Sequence, residues 1–473
     1  MASDLKALRD LIVGSIDNII AVCEETGKDF PKLNEPVQFS EFTPDGIRNH
    51  PKVSDNIAVA VAAAFQLIQT IQSPPVTLTT SAFRHTLPIS LGIVERANVA
   101  EILRKAGSQG LHVKDIAAQN NIDPKKLARV LRFLATNHWF TEVAPDVFAN
   151  NLLSSLLDTG KEITPDFREI KHKDSPGLAA IAGYGADEVI CALTAWPDVL
   201  FDPKVGFSEE LNETGLQKAL NINNNQWEYY DTPEGRYRSD RFNVAMSGAS
   251  KLHPPQAVLI GFDWASVPKN GLVVDVGGSR GHVSLEIAKA FPELNFAVED
   301  RPIVIEEAKK YWAENLQSHV DAGKVHFIGC DFFESQPKLP AIPDVFLLRT
   351  IIHDWSDKYS VKILSNLRSA AGPNTKLLLI DSIINYACEA ESESSLLGKA
   401  SEPKVPAPLL PNLGGANLLA YEVDIVLGSC LNSGERTIDG YKAIIEAAGW
   451  KLVEVRKNPA SKIWWPALIC VPA

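Results

Sequence analysis

The sequence predicts an α/β protein in two parts: a helical N-terminal half and a C-terminal half built on a largely parallel sheet. Three observations predict it. At 473 residues the chain is too long for one ordinary core. Apolar residues recur at three- and four-residue spacing through much of the first 150 positions. From residue 272 onward, short β-rich runs alternate with helical stretches, the pattern of a sheet with right-handed crossovers.

The elements follow in order. Leu8, Leu11, Ile12, Ile16, Ile19 and Ile20 form the stripe of an amphipathic helix over residues 4–26, with Ser3 placed to cap its start and Gly27 its end. A second helix spans about 53–71 and stops at Pro74-Pro75. Its segment 57–62 is apolar on nearly all faces, which calls for burial, including against another subunit. Residues 91–150 read as helices followed by a short hairpin. Asp123-Pro124 is a cap and first-turn pair. Leu127, Val130, Leu131 and Leu134 are the next stripe, and Pro145-Asp146 turns the hairpin of a winged-helix unit.

A winged helix has two readings. Lys125, Lys126, Arg129 and Arg132 on the candidate recognition helix suit DNA, or they are the solvated face of a protein-protein module. The formal net charge of −12 favours the second. Residues 165–255 read as mainly helical, with aromatics at Trp196, Phe201, Phe207, Trp227, Tyr229, Tyr230 and Phe242. These suit either an organic substrate's pocket or ordinary core packing.

Strands are expected at 272–276, 296–298, 325–328, 345–348 and 377–380, and helices at 283–290 and 303–312. The run 387–411, rich in Ser, Glu, Ala and Pro, reads as a flexible surface insertion. The longest purely apolar run, 57–65, is far shorter than a membrane span, and charges at Asp4, Lys6, Arg9 and Asp10 break any export signal. A soluble, cytoplasmic protein without nucleic-acid or membrane partners is the expectation. The six scattered cysteines and ten histidines show no metal-ligand spacing, so no metal is expected.

VDVGGSRG (274–281) ends a strand and opens a helix. Its glycines allow a tight turn and close approach to a ligand, while free amides at the helix start favour polar or anionic groups. The spacing is not that of the GxGxxG fingerprint, which disfavours a nicotinamide cofactor. Asp300 lies 25 residues after Asp275 at the end of the second strand, where an acid accepts hydrogen bonds from ribose hydroxyls. Asp331 follows the third strand, in reach of an adenine amino group, with Phe332 beside the ring. Gly277, Asp300 and Asp331 at three strand ends suit an adenosyl ligand, although each acid alone also suits a loop cap.

With these motifs in place, the sequence resembles the fungal branch of the O-methyltransferases that include the plant caffeate and flavonoid enzymes. The likeness covers the winged-helix unit, VDVGGSRGH (274–282), LRTIIHDWSD (348–357), LLPN (409–412) and SGERT (433–437). It implies a Rossmann-like S-adenosylmethionine-dependent methyltransferase fold with an N-terminal all-α winged-helix dimerisation domain, and a homodimer. The parts would be residues 1–164 for dimerisation, 165–255 as a connecting and substrate-lining region, and 256–473 for cofactor binding and catalysis, with 386–412 as the insertion. The resemblance also implies cofactor contacts at Gly277, Asp300, Asp331, Phe332 and Arg349, the last standing where plant relatives have lysine.

His353 matches the catalytic base of that family, and Asp381 and Glu435 the two acids flanking it. Asp381 departs from the glutamate of the plant enzymes and has a shorter reach. The chemistry fits these residue types. A phenol or enol hydroxyl must lose a proton to attack a methyl sulfonium, a histidine titrates near neutral pH, and a neighbouring carboxylate fixes its tautomer. Two other classes stay open. The resemblance extends to fungal members of this fold that look like pericyclases and dehydratases of polyketide and pyridone pathways, binding the cofactor without transferring methyl; the other class is a catalytically dead winged-helix regulator, which the intact motifs disfavour.

Overall fold

A computed structural model describes residues 3–43, 45–250, 257–389, 405–456 and 466–473. The chain divides into two compact units: Met1–Asp202 with Thr214–Leu252, and Pro203–Glu213 with His253–Ala473. Region 165–255 is thus shared between them.

In the first unit the helix Ser3–Thr26 pairs with Pro51–Ile71. Leu8, Ser15 and Val22 are its buried positions, while Ile16 and Ile20 of the expected stripe lie exposed. Ser3 is already helical and its hydroxyl donates to Asp4 Oδ1 at 3.1 Å, an exposed contact with its neighbour and not the expected cap on a backbone amide. Gly27 ends the helix at φ +65°. Within Pro51–Ile71, Val53, Ala58, Ala62 and Ala63 are buried, whereas Val61, Phe65, Ile68 and Ile71 are exposed. That helix, like the run Leu178–Leu200, is long and apolar enough to cross a membrane by length and composition.

The winged-helix unit forms as expected. Asp123 accepts from the Lys126 amide, Pro124 takes the first turn of Pro124–Thr136, and strands β1 (Leu111–His112), β2 (Thr141–Ala144) and β3 (Val147–Ala149) pair antiparallel in the order β1-β3-β2. Arg132 is held by Glu142 and Asp146 of the wing at 2.8 and 2.7 Å. That occupies one of the four cations a duplex reading needs. Tyr230, Trp227 and Tyr184 pack around Phe242 with centroids 5.3–5.8 Å apart, whereas Phe201 and Phe207 face solvent.

The second unit is a seven-stranded sheet ordered β6-β5-β4-β7-β8-β10-β9. Its strands are β4 (Leu272–Val276), β5 (Asn295–Asp300), β6 (Val325–Gly329), β7 (Val345–Arg349), β8 (Lys376–Ile380), β9 (Trp450–Arg456) and β10 (Ala467–Pro472). β4 to β8 run parallel, and β10 enters antiparallel between β8 and β9. The inner strands are buried along nearly their whole length, as strands covered on both faces must be, which is why they read as continuous apolar runs.

After β6 the chain returns to the other side of β4, so the carboxyl ends of β4 and β7 flank the switch point where α/β sheets open a crevice. Trp264, Trp312 and Phe296 are fully buried in the core against this sheet. Of the expected insertion, residues 390–404 lie outside the described residues. Residues 405–412 are not a loose surface run: Leu409 and Asn412 are buried, and Asn412 donates to the Tyr421 hydroxyl at 2.9 Å.

Candidate active site

The glycine turn sits at the end of β4. Gly277 has φ +69°, a conformation that favours glycine, and a Cβ there would stand 2.5 Å from Ile351 Cδ1, so the end of that side chain would have to shift. Asp300, ending β5, ties the turn down. Its Oδ2 accepts from the Ser279 amide at 2.8 Å and its Oδ1 from the Arg301 amide at 2.7 Å. Burial pushes the Asp300 carboxyl above its usual range and raises Asp275, at the end of β4, to about 6. Arg349, ending β7, is lowered by burial to about 10, with Asp275 and Asp381 acting in its favour.

Asp331 is exposed and caps its own loop by accepting from the Phe333 amide at 2.9 Å. The Phe332 ring stands edge-on to Trp355, centroids 5.4 Å apart, which joins the β6 loop to the turn that follows β7. Gly277, Asp300 and Arg349 therefore belong to the strand ends at the crevice. Asp331 and Phe332 lie on the loop that follows β6.

The second half of the site is built by three loops. Past β7, Thr350 adopts φ +53° and its amide bonds Ile380 O of β8 at 3.0 Å. The short turn Ile352–Asp354 then presents His353. Glu435, from the loop before the helix Ile438–Ala447, is buried, and its Oε1 accepts from His353 Nδ1 at 3.0 Å. The Glu435 amide in turn donates to Asp424 Oδ1 at 2.9 Å. Asp354 lies beside the other ring nitrogen, Oδ1 3.6 Å from Nε2.

Asp381, one residue past β8, is fully buried, and neither carboxyl oxygen has a hydrogen-bond partner. Glu435 Oε2 is unpartnered as well. Of the expected triad, then, His353 and Glu435 are in contact. Asp381 joins them through its field alone, in keeping with its short reach.

The electrostatics are those of an acid cluster around one imidazole. Burial works against the charge on His353, but Asp354 and Glu435 outweigh it and push its pKa up to about 10. Burial raises Asp381 to about 7 and Asp354 to about 6. Asp354, Trp355 and Asp275 are site neighbours that the sequence patterns alone do not mark. Asp354 had a signal, since it lies next to the histidine within HDW, but its approach to Nε2 depends on the turn's geometry.

Comparison with known proteins agrees with this architecture. A model of the O-methyltransferase domain matches residues 204–401. An O-methyltransferase of Armillaria gallica is 40% identical, the alignment covering 100% of both chains. The 4-O-methyltransferase 1 of Phanerochaete chrysosporium is 34% identical, again over 100% of each. Among solved structures, a pericyclic reaction enzyme and LepI in complex with SAM are each 18% identical, and each covers 88% of this chain and 94% of its own at a TM-score of 0.65, a likeness of fold. With relatives of this identity spanning it from end to end, the chain belongs to the O-methyltransferase family and is a methyltransferase enzyme.

Proposed function

We propose that the enzyme moves the methyl group of S-adenosylmethionine to the hydroxyl of a phenolic or enolic small molecule of fungal secondary metabolism, with His353 as the proton acceptor. The observation that carries this reading is the His353 Nδ1–Glu435 Oε1 contact, which leaves Nε2, with Asp354 Oδ1 3.6 Å away and beyond hydrogen-bond distance, as the ring nitrogen to meet a hydroxyl. The residues present fit the cofactor. The Gly277 turn has a positive φ and sits close against Ile351, Asp300 is fixed at the strand end, and Asp331 and Phe332 lie on the loop after β6. Gly277, Asp300, Asp331, Phe332 and Arg349 are the proposed cofactor contacts. S-adenosylmethionine supplies, when bound, an electrophilic methyl group on a positively charged sulfonium.

The acid cluster supports a cationic ligand. Asp354, Asp381 and Glu435 surround one imidazole, and three of their oxygens are buried without partners. At neutral pH His353 rests protonated. It becomes a base when a further positive charge among the same carboxylates lowers its hold on the proton. Glu435 then keeps the ring oriented and stabilises the imidazolium that forms, and Asp381 adds negative charge as it ionises near pH 7.

A resting imidazolium also suits a second reading, in which His353 donates a hydrogen bond to an enol during dehydration or cyclisation. One experiment separates the two. His353→Ala should lower turnover about 10²–10⁴-fold while S-adenosylhomocysteine binding survives, and the wild-type product should be heavier by one CH₂ unit. Product of unchanged mass, or lighter by water, with the cofactor unconsumed, would favour the second reading.

We further propose a homodimer. Val61, Phe65, Ile68, Ile71, Leu78 and Phe83 are exposed in the first unit, and a second copy is the proposed cover for them. The six cysteines form no disulfide among the described residues, which supports a reducing, cytoplasmic setting.

A further inference from the structure

Arg436 follows Glu435 directly and is nine-tenths buried. Its guanidinium donates to Ile352 O at 3.1 Å and to Trp355 O at 2.7 Å, the two carbonyls that bracket the His353-Asp354 pair. It also reaches Ser360 Oγ at 3.3 Å and Asp357 Oδ1 at 2.8 Å, at the start of the helix Asp357–Ala370. Its own carbonyl accepts from the Ile384 amide at 3.1 Å, just past Asp381. One residue thus touches all three loops that carry His353, Asp381 and Glu435.

We propose that Arg436 is a positioning residue of this site, its guanidinium clamping the 352–355 turn so that His353 stays against Glu435. The fork geometry is needed for this. Bonds to two carbonyls and a carboxylate in different directions match a guanidinium, whereas a lysine ammonium concentrates its donors at one point on a flexible stem. The clamp rests on the reading of His353 as proton acceptor.

The test uses the full-length enzyme, Arg436→Lys and Arg436→Ala, each with S-adenosylmethionine and a methyl acceptor of the wild type. Both variants should lose about 10²-fold in kcat, the size expected for misplacing a catalytic group by about 1 Å, with KM for S-adenosylmethionine within threefold. Guanidinium or ethylguanidinium added at millimolar levels should restore Arg436→Ala at least tenfold, and alkylammonium salts should not. NMR titration of the His353 ring, assigned by loss of its signal in His353→Gln, should show its pKa falling by at least one unit in Arg436→Lys.

Kinetics within threefold of wild type, or an unmoved His353 titration in a folded variant, overturns the clamp. Equal losses in kcat, KM and melting temperature without rescue reduce Arg436 to a structural residue and overturn it as well. Should the wild type form no methylated product, the proposed function fails. The titration still decides the clamp.

Discussion

Replacing Glu435 by glutamine keeps the shape of the buried side chain and removes its charge, which isolates the ionic part of the His353 contact. A hydrogen bond between charged groups contributes about 1.5–3 kcal/mol to stability, and this one is 3.0 Å long with the carboxylate buried. A second effect opposes the loss. Glu435 is one of the charges that raise Asp381, so its removal lets Asp381 ionise at less cost.

The pH dependence separates the two. His353 has a folded pKa of about 10 against 6.5 for the free side chain, so its ionic contribution is fully present below pH 6.5 and is lost as pH rises through 10. Asp381 is raised from 3.8 to about 7, so its contribution falls as pH rises from 3.8 through 7, and relief in the variant is largest above pH 7. Glu435→Gln should therefore destabilise the second unit by about 2–3 kcal/mol at pH 6, by about 1–2 kcal/mol at pH 8, and least at pH 10.5. Urea unfolding at these three pH values, followed by tryptophan fluorescence, reads the differences. An equal loss at all three would refute the ionic account of the contact.

Gly277→Ala should weaken S-adenosylhomocysteine binding or lower stability by about 1–3 kcal/mol, because alanine is strained at φ +69° and its Cβ meets Ile351, as calorimetry and thermal melting would show. Asp300→Ala should weaken cofactor binding by about 1–3 kcal/mol and loosen the glycine turn by freeing the Ser279 amide; undiminished binding by calorimetry would remove Asp300 from the site. Light scattering at micromolar concentration should give twice the chain mass of 51.7 kDa, and a monomer would reject the apolar face as a subunit interface.

By itself the sequence determined the order of elements and the identity of the motifs. The five parallel strands are legible because strands covered on both faces must be apolar throughout, and the winged helix because Asp123-Pro124 and the Pro145-Asp146 turn act through local chemistry. β9 and β10 are not legible in the sequence. β9 alternates buried and exposed residues, and its place depends on pairing with β10, which enters next to β8 from far along the chain. Ile16 and Ile20 show the same limit: spacing reveals an apolar stripe, but neighbouring elements decide how much of it is covered.

In the site, HDW and ERT announced His353 and Glu435, and their contact spans 82 residues of chain. Only the tertiary structure decided that Asp381 stands buried without a hydrogen bond, that Asp354 approaches Nε2, and that Arg436 joins the loops around them. Each of these is a matter of where separate loops converge. Burial then makes the charges there strong, because a carboxylate shut away from water acts on its neighbours through a low dielectric.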